Sequence, residues 1–355
     1  MPKRRVPHLA GATATASALA LITLGAAPPA HAAQTHLVRP GESIQQAVDA
    51  ARPGDTVRLL PGTYTGSVLV TTSDLTIRGA GPQSVINPAA GSTGACAAAG
   101  HGICVTGTEG HRLTDVRIEA LTVSGFAKNG IAASETDRMT VHAVQVLGNG
   151  QQGISQEKST RGVITGNVAR DNGQSGVFLA NAVENEGGAI DTEGAVIGQN
   201  RLTGNRIGVT VRRARTLTIG ENRISGNCGG VFIVGDEGVP RAGALTVSRN
   251  VVESNNKYCP PNPRLDFIQG TGILLTGAED TVVTGNKVRD NVGASSMSGG
   301  IVLFRSVVGA ANARNTVSDN LAMGNGPADL ADRDTGTSNA FVRNRCAVSE
   351  PAGHC

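Results

Sequence analysis

The 355 residues carry 31 Lys and Arg against 28 Asp and Glu, and three of those bases, Lys3, Arg4 and Arg5, sit at the N-terminal end, ahead of an Ala/Leu-rich stretch that reads as an export leader. Without them the chain is formally neutral, so no global field draws in nucleic acid or an anionic membrane. Six cysteines, all outside the leader, fit an oxidising compartment.

Residues 1–32 read as that leader: the basic start, an Ala/Leu-rich stretch to Ala27, and the small-x-small pattern Ala30-His31-Ala32. Arg4-Arg5 hints at twin-arginine export, although the residues that follow fit that motif poorly. No later apolar stretch is long enough to span a bilayer, so a secreted, soluble product of residues 33–355 is expected. Residues 41–55 should form an amphipathic N-terminal cap helix. Ser43 and Gln46 fit a capping box, and Ile44, Ala47, Val48 and Ala51 make one apolar face. Pro53-Gly54 ends the helix, and the first strand is expected at Thr56–Leu60.

From residue 141 onward one pattern repeats. Paired asparagines five apart stand at Asn167/Asn172, Asn200/Asn205, Asn222/Asn227, Asn250/Asn255, Asn286/Asn291 and Asn320/Asn325. A branched aliphatic precedes each first Asn by three residues: Ile164, Ile197, Ile219, Val247, Val283, Val317. Val141, Val144, Val146 and Asn149 form a degenerate copy. Several copies are followed by Gly and a β-branched run, as in Gly176-Val177 and Gly230-Val231. Apolar side chains at period two imply strands, and Asn is a residue that accepts left-handed backbone at a sharp bend. Three short strands per coil without helices imply an all-β, single-stranded right-handed parallel β-helix with Asn-rich bends. The asparagines should stack from coil to coil, each amide bonding the next. Leucine-rich repeats lack support in the Leu spacing, and a propeller lacks aromatic and hairpin signals. A last coil at 339–355 should close the C-terminal end, and capped ends imply a monomer.

Cys228 and Cys259 follow Asn227 and Asn255 and so lie one coil apart at one corner, while Cys96 with Cys104 and Cys346 with Cys355 are close in sequence. Those three pairs are the expected disulfides. Zinc is disfavoured because no CxxC occurs and His is scarce nearby.

The opening segment followed by GNxVxxN-type coils resembles the secreted right-handed β-helix proteins of the pectate-lyase-like superfamily, over nearly all of residues 33–355. That resemblance implies a groove over one strand of each coil, flanked by inserted loops, that binds or processes an extracellular polysaccharide, uronate-containing ones among the candidates. Lyase, hydrolase and epimerase activities all occur on this scaffold, and so do non-catalytic scaffolds and adhesion or binding modules. The catalytic signatures of these relatives are not matched. Of the polygalacturonase set only Gly100-His101-Gly102 is present, the DPHD motif of alginate epimerases is absent, and no motif supports calcium or another cofactor.

Insertions at 181–194, 235–243, 256–271 and 292–299 flank the strand that follows the Gly cue. Alternation there places Ser155/Glu157, Phe178/Ala180, Thr210/Arg212, Phe232/Val234, Leu274/Thr276 and Val302/Phe304 outward. Phe178, Phe232 and Phe304 could stack sugar rings or lie under the loops as a secondary core. Glu157 and Arg213 join them as substrate-binding candidates. Hydrolysis needs paired carboxylates, and uronate chemistry needs a base plus a cation on the carboxylate. Arg212, Asp236 and Asp266 are the catalytic trio that neighbouring coils could assemble. Glu184, Glu186, Asp191, Glu193, Glu237 and Arg264 are further loop charges, each ordinarily solvated. The five His residues beyond the leader form no spaced metal cluster.

Overall fold

The computed structural model describes residues 1–3, 32–181, 187–263 and 265–355. Two units divide the chain, Met1–Ala32 and Ala33–Cys355, and every helix and strand reported below belongs to the second. The leader assigned to residues 1–32 falls almost wholly outside the described residues, as do Glu184, Glu186 and Arg264.

Successive coils feed three parallel sheets. Twelve strands run from Thr35–Val38 to Ala340–Val342, ten from Gly62–Thr65 to Leu321–Met323, and eleven from Val68–Val70 to Ser349–Glu350. This is the right-handed parallel β-helix that the repeat implied. Its logic is visible in one column: Val141, Ile164, Ile197, Ile219, Val247, Val283 and Val317 pair in register from coil to coil. All seven are at most 2% exposed. Each such burial stabilises the coil by about 1.5–3 kcal/mol, and branched aliphatics suit the pleat.

The asparagines form two continuous ladders. One runs Asn167, Asn200, Asn222, Asn250, Asn286, Asn320 and Asn344, with Nδ2 to Oδ1 distances of 2.9–3.0 Å. The other runs Asn149, Asn172, Asn205, Asn227, Asn255, Asn291 and Asn325 at 2.8–3.1 Å. Beyond the first asparagine of each ladder, whose Oδ1 accepts only the N–H of Val144 or Phe126, each Oδ1 accepts both the backbone N–H and the side-chain N–H of the preceding asparagine, so the ladders are polar. The second ladder ends on a carboxylate. Asp329 Oδ1 accepts from Asn325 N and Nδ2, and its Oδ2 accepts from Ala347 N and Val348 N. A carboxylate has no N–H to place and can end such a chain.

The bends correct the expected role of Asn. None of the ladder asparagines has positive φ; the residue before each one does, as at Asp171 (φ 58°), Gln199 (58°), Glu221 (60°) and Arg249 (55°), with glycine at Gly166 and Gly204. The preceding residue absorbs the left-handed turn, and Asn is there to bond inward. The Gly cue has a steric cause: a Cβ on Gly230 would lie 2.4 Å from the Gly272 carbonyl oxygen.

The helix Ile44–Ala50 buries Ile44 and Val48, and its Ser43 Oγ accepts from Gln46 N at 3.3 Å. It is not followed by the first strand, as expected, but preceded by it: Thr35–Val38 pairs in parallel with Thr56–Leu59. Four residues before the helix therefore already belong to the sheet. The segment 181–194 is likewise not all loop, because Ile190–Gly198 is a strand of the twelve-stranded sheet with a bulge between Asp191 and Ala195. All three expected disulfides are present: Cys96–Cys104, Cys228–Cys259 and Cys346–Cys355, with Cα separations of 5.8, 5.9 and 5.2 Å.

Candidate functional site

The eleven-stranded sheet carries the inserted loops, and its register settles which side chains leave the coil. Cys104, Ala132, Ser155, Phe178, Thr210, Phe232, Leu274 and Val302 align in one outward row. Thr106, Ser134, Glu157, Ala180, Arg212, Val234, Thr276 and Phe304 form the next. The inward neighbours Val177, Val209, Val231, Ile273 and Ile301 belong to the coil core.

The outward row is not an open ribbon throughout. Phe232, Leu274 and Val302 form a second apolar cluster with Ile268 and Met297 from the flanking loops and the Cys228–Cys259 bridge. Phe232 is only 2% exposed, so it anchors the covering loop and offers little face for stacking. Phe178 and Phe304 are half-buried and open to a groove of 570 Å³.

Arg212, Arg213, Asp236, Glu237, Phe232 and Arg305 also line that groove. Asp236 Oδ2 accepts from Arg213 Nε in an ion pair, and its Oδ1 accepts from Gly238 N–H at 3.0 Å. Both its oxygens are therefore engaged, and the pair ties the 235–243 loop to the strand end. Asp266 does not line this groove. It is exposed, accepts from Phe267 N–H at 2.8 Å, and borders an adjoining depression of 610 Å³ together with Asp334. The two depressions share Leu265, Met297, Phe304, Arg305, Ser306 and Val307. Arg212 and Asp236 thus line one groove, while Asp266 lines the depression beside it.

Sequence reasoning missed Arg305 and Asp334. The chain between Phe304 and Asn315 is long for a connection between strands, and that length was the signal for one more wall. Glu157 lines a separate depression of 500 Å³ with His101, Asn129 and Ser155. His101 Nδ1 accepts from Asn129 N–H at 3.1 Å. Burial, and then the charge of Lys128, hold the His101 imidazole below its usual pKa. Among the described residues no group of three or more His, Cys, Asp or Glu is placed to hold a metal ion, and no helix is long and apolar enough to cross a membrane.

A family model described as "Right handed beta helix region" matches residues 64–187 and 180–306. The chain belongs to the right-handed beta helix family. Solved structures of similar fold include the mannuronan C-5 epimerase AlgE6 A-module of Azotobacter vinelandii, at 19% identity and TM-score 0.60, covering 86% of this chain and 90% of that one. A DFA-IIIase from Arthrobacter chlorophenolicus A6 in complex with DFA-III matches at 15% identity and TM-score 0.56, covering 87% and 95%. The periplasmic alginate epimerase AlgG matches at 12% identity and TM-score 0.54, covering 88% and 77%. At these identities the likeness to these solved structures is one of fold. A search of curated proteins finds no match to this sequence.

Proposed function

We propose that this protein is exported by its leader 1–32 and that residues 33–355, closed by 41–55 and 339–355, bind or process an extracellular polysaccharide in the groove over the eleven-stranded sheet. One observation carries the reading: half-buried Phe178 and Phe304 stand at the two ends of a groove with a charged wall between them. Four coil rises separate them, about 19 Å, which suits an extended oligomer lying along the coil axis. Aromatic faces stack on sugar rings, and Arg212 and Arg305 can pair with carboxylates of a uronate-containing chain. The solved relatives whose names report alginate epimerisation or a DFA-III complex support a carbohydrate partner.

If the protein is an enzyme, its chemistry (lyase, hydrolase or epimerase) lies where the groove meets the adjoining depression, with Arg212 of the groove as carboxylate-binding group and Asp266 of the depression as acid–base group. The non-catalytic reading has its own observation: Asp236, a carboxylate of the groove wall, spends both oxygens on Arg213 and Gly238. Incubation with pectate, alginate and glycosaminoglycans separates the two. New ultraviolet absorbance from unsaturated products, new reducing ends, or a change in uronate configuration by NMR identifies an enzyme. Retardation in affinity gels without turnover identifies a binding module. Neither turnover nor retardation on any polymer refutes the proposal.

A further inference from the structure

The ten-stranded sheet forms a different face of the coil from the groove. One of its outward rows pairs in register from coil to coil: Arg201, Arg223, Val251, Lys287, Leu321 and Arg345. All four cations of the row are exposed.

Elsewhere on and beside this face, each Arg is matched by an acid. Arg249 pairs with Glu221 at 2.8 Å, Arg289 with Glu253 at 2.5 Å and Arg343 with Asp319 at 2.8 Å, every pair bridging neighbouring coils. Arg170 meets Asp171 at 3.4 Å, and the charge of Asp290 acts on Arg289. The row departs from that rule. Among the described residues, the side chains of Arg201, Arg223, Lys287 and Arg345 have no hydrogen-bond or ion-pair partner. Arg201 and Arg223 even stand directly opposite one another, where like charges destabilise a sheet. With the acids of the face committed to other arginines, the row carries four uncompensated positive charges.

Its spacing is regular as well. From Arg223 to Arg345, cation and aliphatic alternate. Coils rise by about 4.8 Å, so a cation recurs about every 10 Å along about 19 Å of the axis. An extended pyranose residue is about as long as one coil rise. A polysaccharide with a carboxylate on every second sugar would set each charge on a cation and each neutral ring over Val251 or Leu321. Single-stranded nucleic acid is held by aromatic stacking as well as charge. The strands of this sheet contain one aromatic ring, Tyr64, which is 2% exposed and faces the core.

We propose that this row is a second polymer site, for an acidic polysaccharide that carries its carboxylates on alternate sugars and lies along the coil axis. It shares no residue with the groove and does not depend on the groove reading. The experiment is isothermal titration of the intact protein with three probes. They are a hyaluronan octasaccharide (carboxylates on alternate sugars), hexagalacturonate (a carboxylate on every sugar) and oligothymidylate. Arg223→Glu combined with Lys287→Glu reverses two charges of the row. Val251→Glu supplies the acid that the row lacks. Phe304→Ala perturbs only the groove.

The hyaluronan octasaccharide is expected to bind wild type most tightly of the three, and less tightly as salt is raised. The double variant should weaken that binding at least about tenfold and Val251→Glu at least about threefold, since exposed ion pairs are lost, while Phe304→Ala leaves it within about twofold. Both row variants change only exposed or half-buried side chains and should melt as wild type does. Hyaluronan binding by both row variants within about twofold of wild type overturns the proposal. Tighter binding of hexagalacturonate or oligothymidylate than of hyaluronan by wild type overturns it too. If Phe304→Ala abolishes hyaluronan binding and the double variant keeps it, the row proposal fails and the groove reading stands. If wild type binds no hyaluronan, the row proposal fails; hexagalacturonate binding that only Phe304→Ala weakens would still support the groove.

Discussion

Replacing Asn222 by Leu cuts a ladder at mid-length and tests whether the asparagines stabilise the coil or merely fit it. Asn222 is 1% exposed; its Oδ1 accepts from Asn200 N and Nδ2, both at 3.0 Å, and its Nδ2 donates to Ile197 O and Asn250 Oδ1, both near 2.9 Å. Leucine has similar volume but no polar atoms. It orphans the Asn200 backbone N–H and one hydrogen of its Nδ2, and it strips a donor from three acceptors, the Ile197 and Gly220 carbonyls and Asn250 Oδ1. Each buried N–H without a partner costs about 1–3 kcal/mol, so two give about 2–6 kcal/mol. The added apolar burial offsets about 1 kcal/mol of that, leaving an expected loss of about 3 kcal/mol. Asp329→Asn probes the ladder's end. Four N–H groups converge on that carboxylate, so an amide must turn its own N–H toward a donor, with an expected loss of about 2–4 kcal/mol. The assay is equilibrium urea unfolding by far-UV circular dichroism, since the chain has no Trp to report by fluorescence. A loss below about 1 kcal/mol for both variants would refute the view that ladder polarity matters energetically.

Gly230→Ala should lower stability by about 1–3 kcal/mol, because its Cβ would meet the Gly272 carbonyl oxygen at 2.4 Å and Val252 Cγ1 at 2.6 Å; an unchanged melting temperature contradicts the steric account of the Gly cue. Gln156 is 3% exposed in an inward row, its Oε1 without a partner and its Nε2 on Thr136 Oγ1 at 3.1 Å. Gln156→Met should therefore stabilise by about 1 kcal/mol, read as a higher urea midpoint, and a lower midpoint overturns this. Asp137 is buried, and the Arg161 hydrogen bond holds its carboxyl below the usual range, with Thr160 and Arg138 acting in the same direction. A depressed acid gives stability that is present above the ordinary carboxylate pKa and is lost as pH falls through the folded value. Asp137→Asn should thus lower the melting temperature at pH 7 more than at pH 3, and equal shifts at both would count against it.

The coil frame was legible from local spacing because its strands are short, many of them only three residues, and most of the side chains they turn inward are aliphatic. Asn at a fixed offset from Ile164, Ile197 or Ile219 could be read as a stacked corner without knowing the coil geometry. The role of its neighbour could not. Asp171 and Gly166 take the left-handed turn, and a sequence shows only that small or polar residues cluster there. Thr35–Val38 was missed because four residues before a helix carry too little periodicity to announce a strand.

The site divides the same way. Alternation from Gly176, Gly208 and Gly230 correctly turned Phe178, Arg212 and Phe232 outward, since side-chain direction along a strand is a local property. Whether an outward side chain meets solvent depends on what a distant segment does. Ile268 and Met297 bury Phe232 and Leu274, Arg213 engages Asp236, and Ala132 and Ser155 line the separate depression that holds Glu157. Covalent order determined the coil, its register and its disulfides. Only the tertiary structure decided which outward residues are covered, paired or open, because loop packing brings together segments whose spacing in sequence carries no period.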